Sequence, residues 1–279
     1  MRLASILLAA SMLCSGADPP KRIVSLSPNM TEMLYAIGAF ARVVGVSDYC
    51  TYPAEVKRLP SVGGWYNPTL EKLTAMRPDL VVLDDAQAPF LQDKLRDLGM
   101  HLLIVPNHTV ADVYTAIAML GKATGQEATA SKLEVATRAD LARIAKRTAA
   151  LPRPTVIILV SRTPGTLRDL VTATSGSYLA ELLEIAGGRS ASPQDKRGYR
   201  KLSPEELLAI NPDVILDFTH GSDSRLSGDP LAAWKDMPEL RALRNRRIYA
   251  VGEDYVPHNS QRNVLTAELF ARLLHPEAR

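Results

Sequence analysis

The sequence predicts an α/β protein of two Rossmann-like lobes with parallel sheets, joined by one long backbone helix. Three observations carry this. The stretch 126–151 runs without Gly or Pro, between Gly125 and Pro152. On either side of it, short continuous apolar runs alternate with helical segments, as strands of a parallel sheet covered on both faces do. The second half also echoes the first. Glu71-Lys72-Leu73-Thr74-Ala75-Met76-Arg77-Pro78-Asp79-Leu80-Val81 matches Glu205-Glu206-Leu207-Leu208-Ala209-Ile210-Asn211-Pro212-Asp213-Val214-Ile215 at one constant offset. A second echo pairs Glu32-Met33-Leu34, ending at Gly38, with Glu181-Leu182-Leu183, ending at Gly187.

Taken in order, 23–26 is an apolar strand, and Ser27-Pro28-Asn29 a loop. Thr31 caps a helix through Ile37, and Gly38 stops it. Residues 43–46 form a strand, and 49–67 a long loop with two Pro, two Gly and several aromatics. Long irregular loops in compact domains are often functional. A helix over 70–76 precedes a buried strand at 80–83. A helix over 90–98 ends at Gly99, followed by a strand at 102–105 and a helix over 110–122. In 126–151, Leu133, Thr137, Leu141, Ile144, Thr148 and Leu151 recur at spacings of three and four, an amphipathic helix about 35 Å long. Glu134 and Arg138 pair one turn apart on it. The pattern then restarts: strand 156–160, helix 178–185, helix 204–210 and strand 214–218. Helical segments at 231–234 and 238–243, a strand at 248–251 and a closing helix over 260–274 complete it. The lobes are expected at 18–125 and 152–279, with 126–151 between them.

The chain has 279 residues, 46% hydrophobic and 23% charged, with a net charge of +3. These are the proportions of a soluble globular protein, expected to act as a monomer. The even balance of charge shows no nucleic-acid footprint. Residues 1–17 read as a secretory signal: Arg2, the apolar run 3–13, then Ser15-Gly16-Ala17. The linker Asp18-Pro19-Pro20-Lys21 follows. Cys14 raises lipid attachment, but Met12 and Leu13 before it are large where that site favours small residues. After cleavage Cys50 alone remains, so no internal disulfide is expected.

Ligands of open α/β sheets bind beyond the carboxyl ends of the strands, and a crevice between two lobes is a natural site. Tyr49, Tyr52, Trp65 and Tyr66 share one loop there. The repeat offset carries Trp65 onto Tyr199, so these two rings should face each other across the crevice. Tyr255 follows the strand 248–251. In a chain with 5% aromatics, flat apolar rings with polar tips concentrated on loops suit a large planar ligand. Asp84, Asp85, His220, Asp254 and His258 also follow strands. One His with two carboxylates can hold a metal ion. No H-x-x-x-H or C-x-x-C spacing supports this, so no direct metal site and no cofactor are expected. His101, His108 and His275 read as surface residues. The chain has no G-x-S-x-G elbow, no P-loop and no G-x-G-x-x-G after a strand. Cys50 has no evident basic partner and reads as a half-buried loop thiol. The chemistry is that of a binder, not an enzyme.

Arg22-Ile23-Val24-Ser25-Leu26-Ser27-Pro28, Thr31-Glu32, Gly45-Val46-Ser47-Asp48-Tyr49, Tyr52-Pro53, Val62-Gly63-Gly64-Trp65, Leu70-Glu71 and Arg77-Pro78-Asp79-Leu80-Val81 resemble the periplasmic cobalamin-binding proteins and their relatives. These are the helical-backbone solute-binding proteins of ABC importers, which also take haem, ferric siderophores and metal ions. The resemblance runs from Lys21 almost to the C-terminus. It implies a periplasmic protein that binds a corrinoid between its lobes and delivers it to an importer, Glu71 and Glu205 docking onto the permease subunits. Tyr49, Trp65 and Tyr199 fall at aromatic cleft positions, Tyr199 replacing a Trp. Asp84 falls where another Trp is usual, Asp254 matches an acidic cleft residue, and His258 stands in place of an Arg. Haem and ferric siderophores are the alternative ligands. For haem, Tyr49, Tyr199 or His258 would be the axial group; for siderophores, Arg162 and Arg200 are the nearby cations. An enzyme on the same scaffold is the reading from another class. The long helix implies a small closure of the lobes on ligand.

Overall fold

The computed structural model describes residues 18–218 and 231–278. The expected signal segment 1–17, Cys14 and His220 lie outside the described residues. The first lobe consists of β1 (Ile23–Ser25), α1 (Pro28–Ala36), β2 (Val43–Val46), α2 (Leu70–Ala75), β3 (Leu80–Asp84), α3 (Ala88–Asp97), β4 (Leu102–Val105) and α4 (Val110–Thr124). Its four strands are all parallel, in the order β2-β1-β3-β4. Alternation along the strands builds two cores. Ile23 and Val82 face Met33, Leu34, Val113 and Ile117 of α1 and α4, whereas Val24, Val81 and Leu83 face Leu73, Leu91 and Leu95 of α2 and α3. This is the period-two register of a sheet buried on both sides.

The first helix begins at Pro28 with Ser27 as its N-cap, not at Thr31. Pro is well placed in a first turn, where its missing N–H costs nothing. Ser27 does not cap with its side chain. Its hydroxyl serves the site described below. Thr31 lies inside the helix and bonds Ser25 Oγ at 2.8 Å.

After α5 (Glu127–Thr148) comes the second lobe: β5 (Thr155–Ser161), β6 (Leu170–Ala173), α6 (Tyr178–Ile185), β7 (Arg189–Ser190), β8 (Tyr199–Leu202), α7 (Pro204–Ile210), β9 (Val214–Phe218), α8 (Arg241–Arg244), β10 (Ile248–Val251) and α9 (Asn263–Leu274). Here the expectation of a parallel sheet needs correction. The strand order is β10-β9-β5-β6-β8, with β7 beside β5, and β6 runs antiparallel to both β5 and β8. Sequence reading missed β6, β7 and β8. β7 has two residues, and β8 (Tyr-Arg-Lys-Leu) is a polar edge strand without the apolar run of a covered one. Tyr199, expected on a loop, is the first residue of β8. The expected helix over 231–234 is a 3-10 turn at Ala232–Asp236, and the closing helix starts at Asn263 rather than 260.

α5 buries Ala130, Thr137, Leu141, Ile144 and Thr148, the stripe the sequence periodicity marks. It does not join the lobes alone. Gly125, in the left-handed conformation, turns the chain from α4 straight into α5. Both helices then contribute to both cores: Ile117 and Ala130 in the first lobe, Tyr114, Leu141 and Ile144 in the second. The two echoed glutamates also cross between lobes. Glu181 accepts the Val110 N–H at the start of α4, at 2.7 Å. Glu32, 1% exposed, accepts from His258 Nδ1 at 2.9 Å, Arg262 at 3.0 Å and Ser260 Oγ at 2.5 Å, just before α9. No described helix is long and apolar enough to cross a membrane.

Candidate ligand cleft

The carboxyl ends of β1, β3 and β4 bring Ser27, Asp84 and Asn107 together. Asp84 is wholly buried. Its Oδ2 lies 2.9 Å from Ser27 Oγ and 3.4 Å from Asn107 Nδ2, and its Oδ1 accepts the Gln87 N–H at 3.1 Å. Burial pushes this carboxyl up to about 6; the Asp85 charge adds, while the Ser27 hydroxyl and the Gln87 and Ala86 N–H groups oppose it.

The long loop places Trp65 above this cluster. Gly63, at φ +107°, bridges to Pro68 and closes the tip of the loop; a side chain there would be strained. Gln87 Nε2 holds the Trp65 carbonyl at 2.8 Å, and the Trp65 indole N–H donates to Ser27 Oγ at 3.2 Å. Trp65, Tyr66 and Phe90 then stack edge to face, with centroids 4.3 and 4.8 Å apart. Tyr66, Phe90 and Tyr49 are all more than half exposed. Isolated exposed apolar residues need no explanation, but a contiguous aromatic row does.

On the second lobe, Val160, Tyr178, Tyr199, Phe218 and Pro257 line a cavity of about 290 Å³ at the carboxyl ends of β5 and β9. Tyr199 is partly open to it. Among the described residues, three nearby arginines are committed. Arg162 binds buried Asp217 at 3.0 Å, and Asp217 also accepts the Trp234 indole N–H at 2.9 Å. Arg200 binds Glu206 at 2.8 Å, and Arg262 bridges Glu32 and Asp254, each at 3.0 Å.

The residues singled out in sequence therefore separate. Trp65 and Tyr66 belong to the aromatic row of the first lobe, Tyr199 lines the cavity of the second, and Tyr49 is exposed. Asp84 lies beneath Trp65, linked to it through Ser27 Oγ. Asp254, Tyr255 and His258 gather at the junction of the lobes, with Arg262 lying 4.3 Å over Tyr52 and 5.2 Å over Tyr255. His258 is 14% exposed and engaged by Glu32. His108, read as a surface residue, is exposed but binds Asp85 at 3.0 Å beside the cluster. Sequence reasoning missed Ser27, Asn29, Gln87, Asn107, Phe90 and Glu32 as parts of this region. Ser27-Pro28, a cap-like pair directly after an apolar strand, was the available signal. Cys50 is buried, and its thiol is pushed up chiefly by that burial, as an inert core thiol would be. Among the described residues, no three His, Cys, Asp or Glu side chains are placed to hold a metal ion.

The two exposed glutamates of the internal repeat occupy equivalent places. Glu71 is the second residue of α2 after Thr69, and Glu205 the second of α7 after Ser203. Neither carboxylate has a hydrogen-bond or ion-pair partner among the described residues.

A sequence profile for a family described as periplasmic binding protein matches residues 23–255. The chain is 31% identical over 265 residues to the uncharacterized ABC transporter substrate-binding lipoprotein YvrC of Bacillus subtilis, covering 92% of this chain and 81% of that one. Its fold matches the crystal structure of the periplasmic vitamin B12 binding protein BtuF of Vibrio cholerae with a TM-score of 0.78, at 25% identity over 92% of this chain and 98% of that one. It matches a periplasmic heme binding protein from Pseudomonas aeruginosa with a TM-score of 0.81, at 25% identity over 93% and 94% of the chains.

Proposed function

The chain belongs to the periplasmic binding protein family, as a substrate-binding protein of an ABC transporter in the vitamin B12, haem and siderophore superfamily, and we propose that the ligand of its cleft is a corrinoid. The observation that supports this is the state of three arginines among the described residues. Arg162, Arg200 and Arg262 are each bound to a carboxylate of the protein. Haem brings two propionates, and ferric siderophores are commonly anionic. A carboxylate leaving water without a counter-charge is heavily penalised. A corrinoid edged with neutral amides needs flat apolar faces and hydrogen-bonding tips, which Trp65, Tyr66 and Tyr199 offer. The cavity beside Tyr199 suits a peripheral group of the ligand rather than its ring. In this reading Tyr49, Trp65, Tyr66 and Tyr199 contact the ligand, Asp84 supports Trp65, and Asp254, Tyr255 and His258 close the junction between lobes 18–125 and 152–279.

Glu71 and Glu205 dock onto two like permease subunits. Rim charges of this kind set orientation and encounter rate more than affinity.

Calorimetric titration of the protein from Asp18 onward, with cyanocobalamin and then hemin, tests the reading. One-to-one submicromolar binding of cyanocobalamin is expected, and Trp65→Ala should weaken it about thirty-fold, roughly 2 kcal/mol. Glu71→Ala with Glu205→Ala should leave the titration unchanged and abolish uptake by the reconstituted importer. The likeness to the heme binding protein favours haem as the second reading. Silence with cyanocobalamin and saturation with hemin would move the assignment there.

A further inference from the structure

The cluster under Trp65 is a closed ring of four side chains, and its protons can be counted. Ser27 Oγ contacts Asp84 Oδ2, Asn107 Nδ2 contacts the same oxygen, Asn29 Nδ2 donates to Asn107 Oδ1 at 2.7 Å, and Ser27 Oγ meets Asn29 Oδ1. Four contacts need four protons. Ser27 supplies one. Each asparagine donates to one neighbour and accepts from the other, whichever way its amide is turned. Ionised Asp84 supplies none, so one contact sets acceptor against acceptor. Ser27, Asn29 and Asp84 are all at least 97% buried, where a mismatch of this kind is costly. A proton on Asp84 completes the ring. Ser27 Oγ then accepts from Asp84 with one lone pair and from the Trp65 indole with the other.

We propose that Asp84 is a positioning residue for ligand capture: by taking up a proton it completes this ring and holds Trp65 in place, so that binding tightens as pH falls. This rests on the reading of Trp65 as a wall of the ligand cleft. The burial that pushes Asp84 up to about 6 brings the change into an accessible range. The other charged or titratable groups facing the cluster are Asp85, its partner His108 and Tyr66. β1 and α1 contribute only the neutral Ser27 and Asn29, and the loop after β4 the neutral Asn107.

The chain holds two tryptophans, Trp65 and the buried Trp234. In a Trp234→Phe background, emission reports on Trp65 without any ligand. Followed from about pH 4.5 to 8, it should change with a midpoint near 6. Asp84→Asn and Ser27→Ala should abolish the change, and His108→Gln should leave it in place. Without the Trp234 change, cyanocobalamin should bind several-fold more tightly at pH 5.5 than at 7.5. In Asp84→Asn, which cannot ionise, affinity should not depend on pH. Flat emission in the parent, a midpoint surviving Asp84→Asn, or one displaced by His108→Gln would overturn the proposal. If cyanocobalamin does not bind, the corrinoid reading fails, while the emission titration still decides the role of Asp84.

Discussion

Asp84 carries a stability consequence of its own. Its folded value near 6 lies above the ordinary 3.8, so the native state holds this proton more firmly than the unfolded chain. The contribution is fully present below about pH 4 and is lost as pH rises through about 6, on the order of 3 kcal/mol across that window. Asp84→Asn should therefore be as stable as the parent at low pH and more stable at pH 7.5, measured by urea unfolding at both. Equal destabilisation at both would contradict the sign. The same carboxyl shows how little residue type alone says of its surroundings. In sequence Asp84 is an acid at the end of a strand, where ligand contact is the natural expectation. Only the packed loop, with Gln87 and Trp65 above it, encloses it completely.

At the scale of elements, α4 and α5 bind the lobes through close contact rather than length. Gly121 lies where a Cβ would come within 2.4 Å of the Ala130 Cβ. Helix propensity alone would favour Ala at position 121 by about 1 kcal/mol. The crowding opposes it, because neither helix backbone can shift without unpacking a core. Gly121→Ala is expected to destabilise by about 1–2 kcal/mol, a sign that denaturant unfolding reads directly. Arg138, 3.6 Å over the Tyr114 ring, clasps the same two helices, and its predicted pair with Glu134 forms at 2.8 Å. That pair is partly exposed and adds little.

At the scale of the molecule, the lobes exchange one glutamate each way. Glu181 reaches the start of α4, and Glu32 reaches the segment before α9. Together with the α4–α5 pair these contacts oppose hinge motion. Small-angle scattering is expected to give the same radius of gyration with and without cyanocobalamin; marked compaction would refute a rigid arrangement. Glu32→Ala leaves Arg262, His258 and Ser260 without their shared acceptor. It should cost about 3 kcal/mol or more in unfolding and broaden the scattering-derived distance distribution.

The local code determined much of this protein. Apolar runs and stop residues located β1 to β5, β9, β10 and most helices, and the repeat paired Glu71 with Glu205 and Glu32 with Glu181. Those signals are periodic and near in sequence, so they survive without a structure. The antiparallel β6 and β8, the diversion of Ser27 from capping to Trp65, and the capture of His258 by Glu32 were decided by tertiary structure. Each depends on groups far apart in the chain, Glu32 and His258 above all. Whether a polar side chain faces ligand or a buried partner depends on which surfaces leave water together, and that is settled only when the lobes pack.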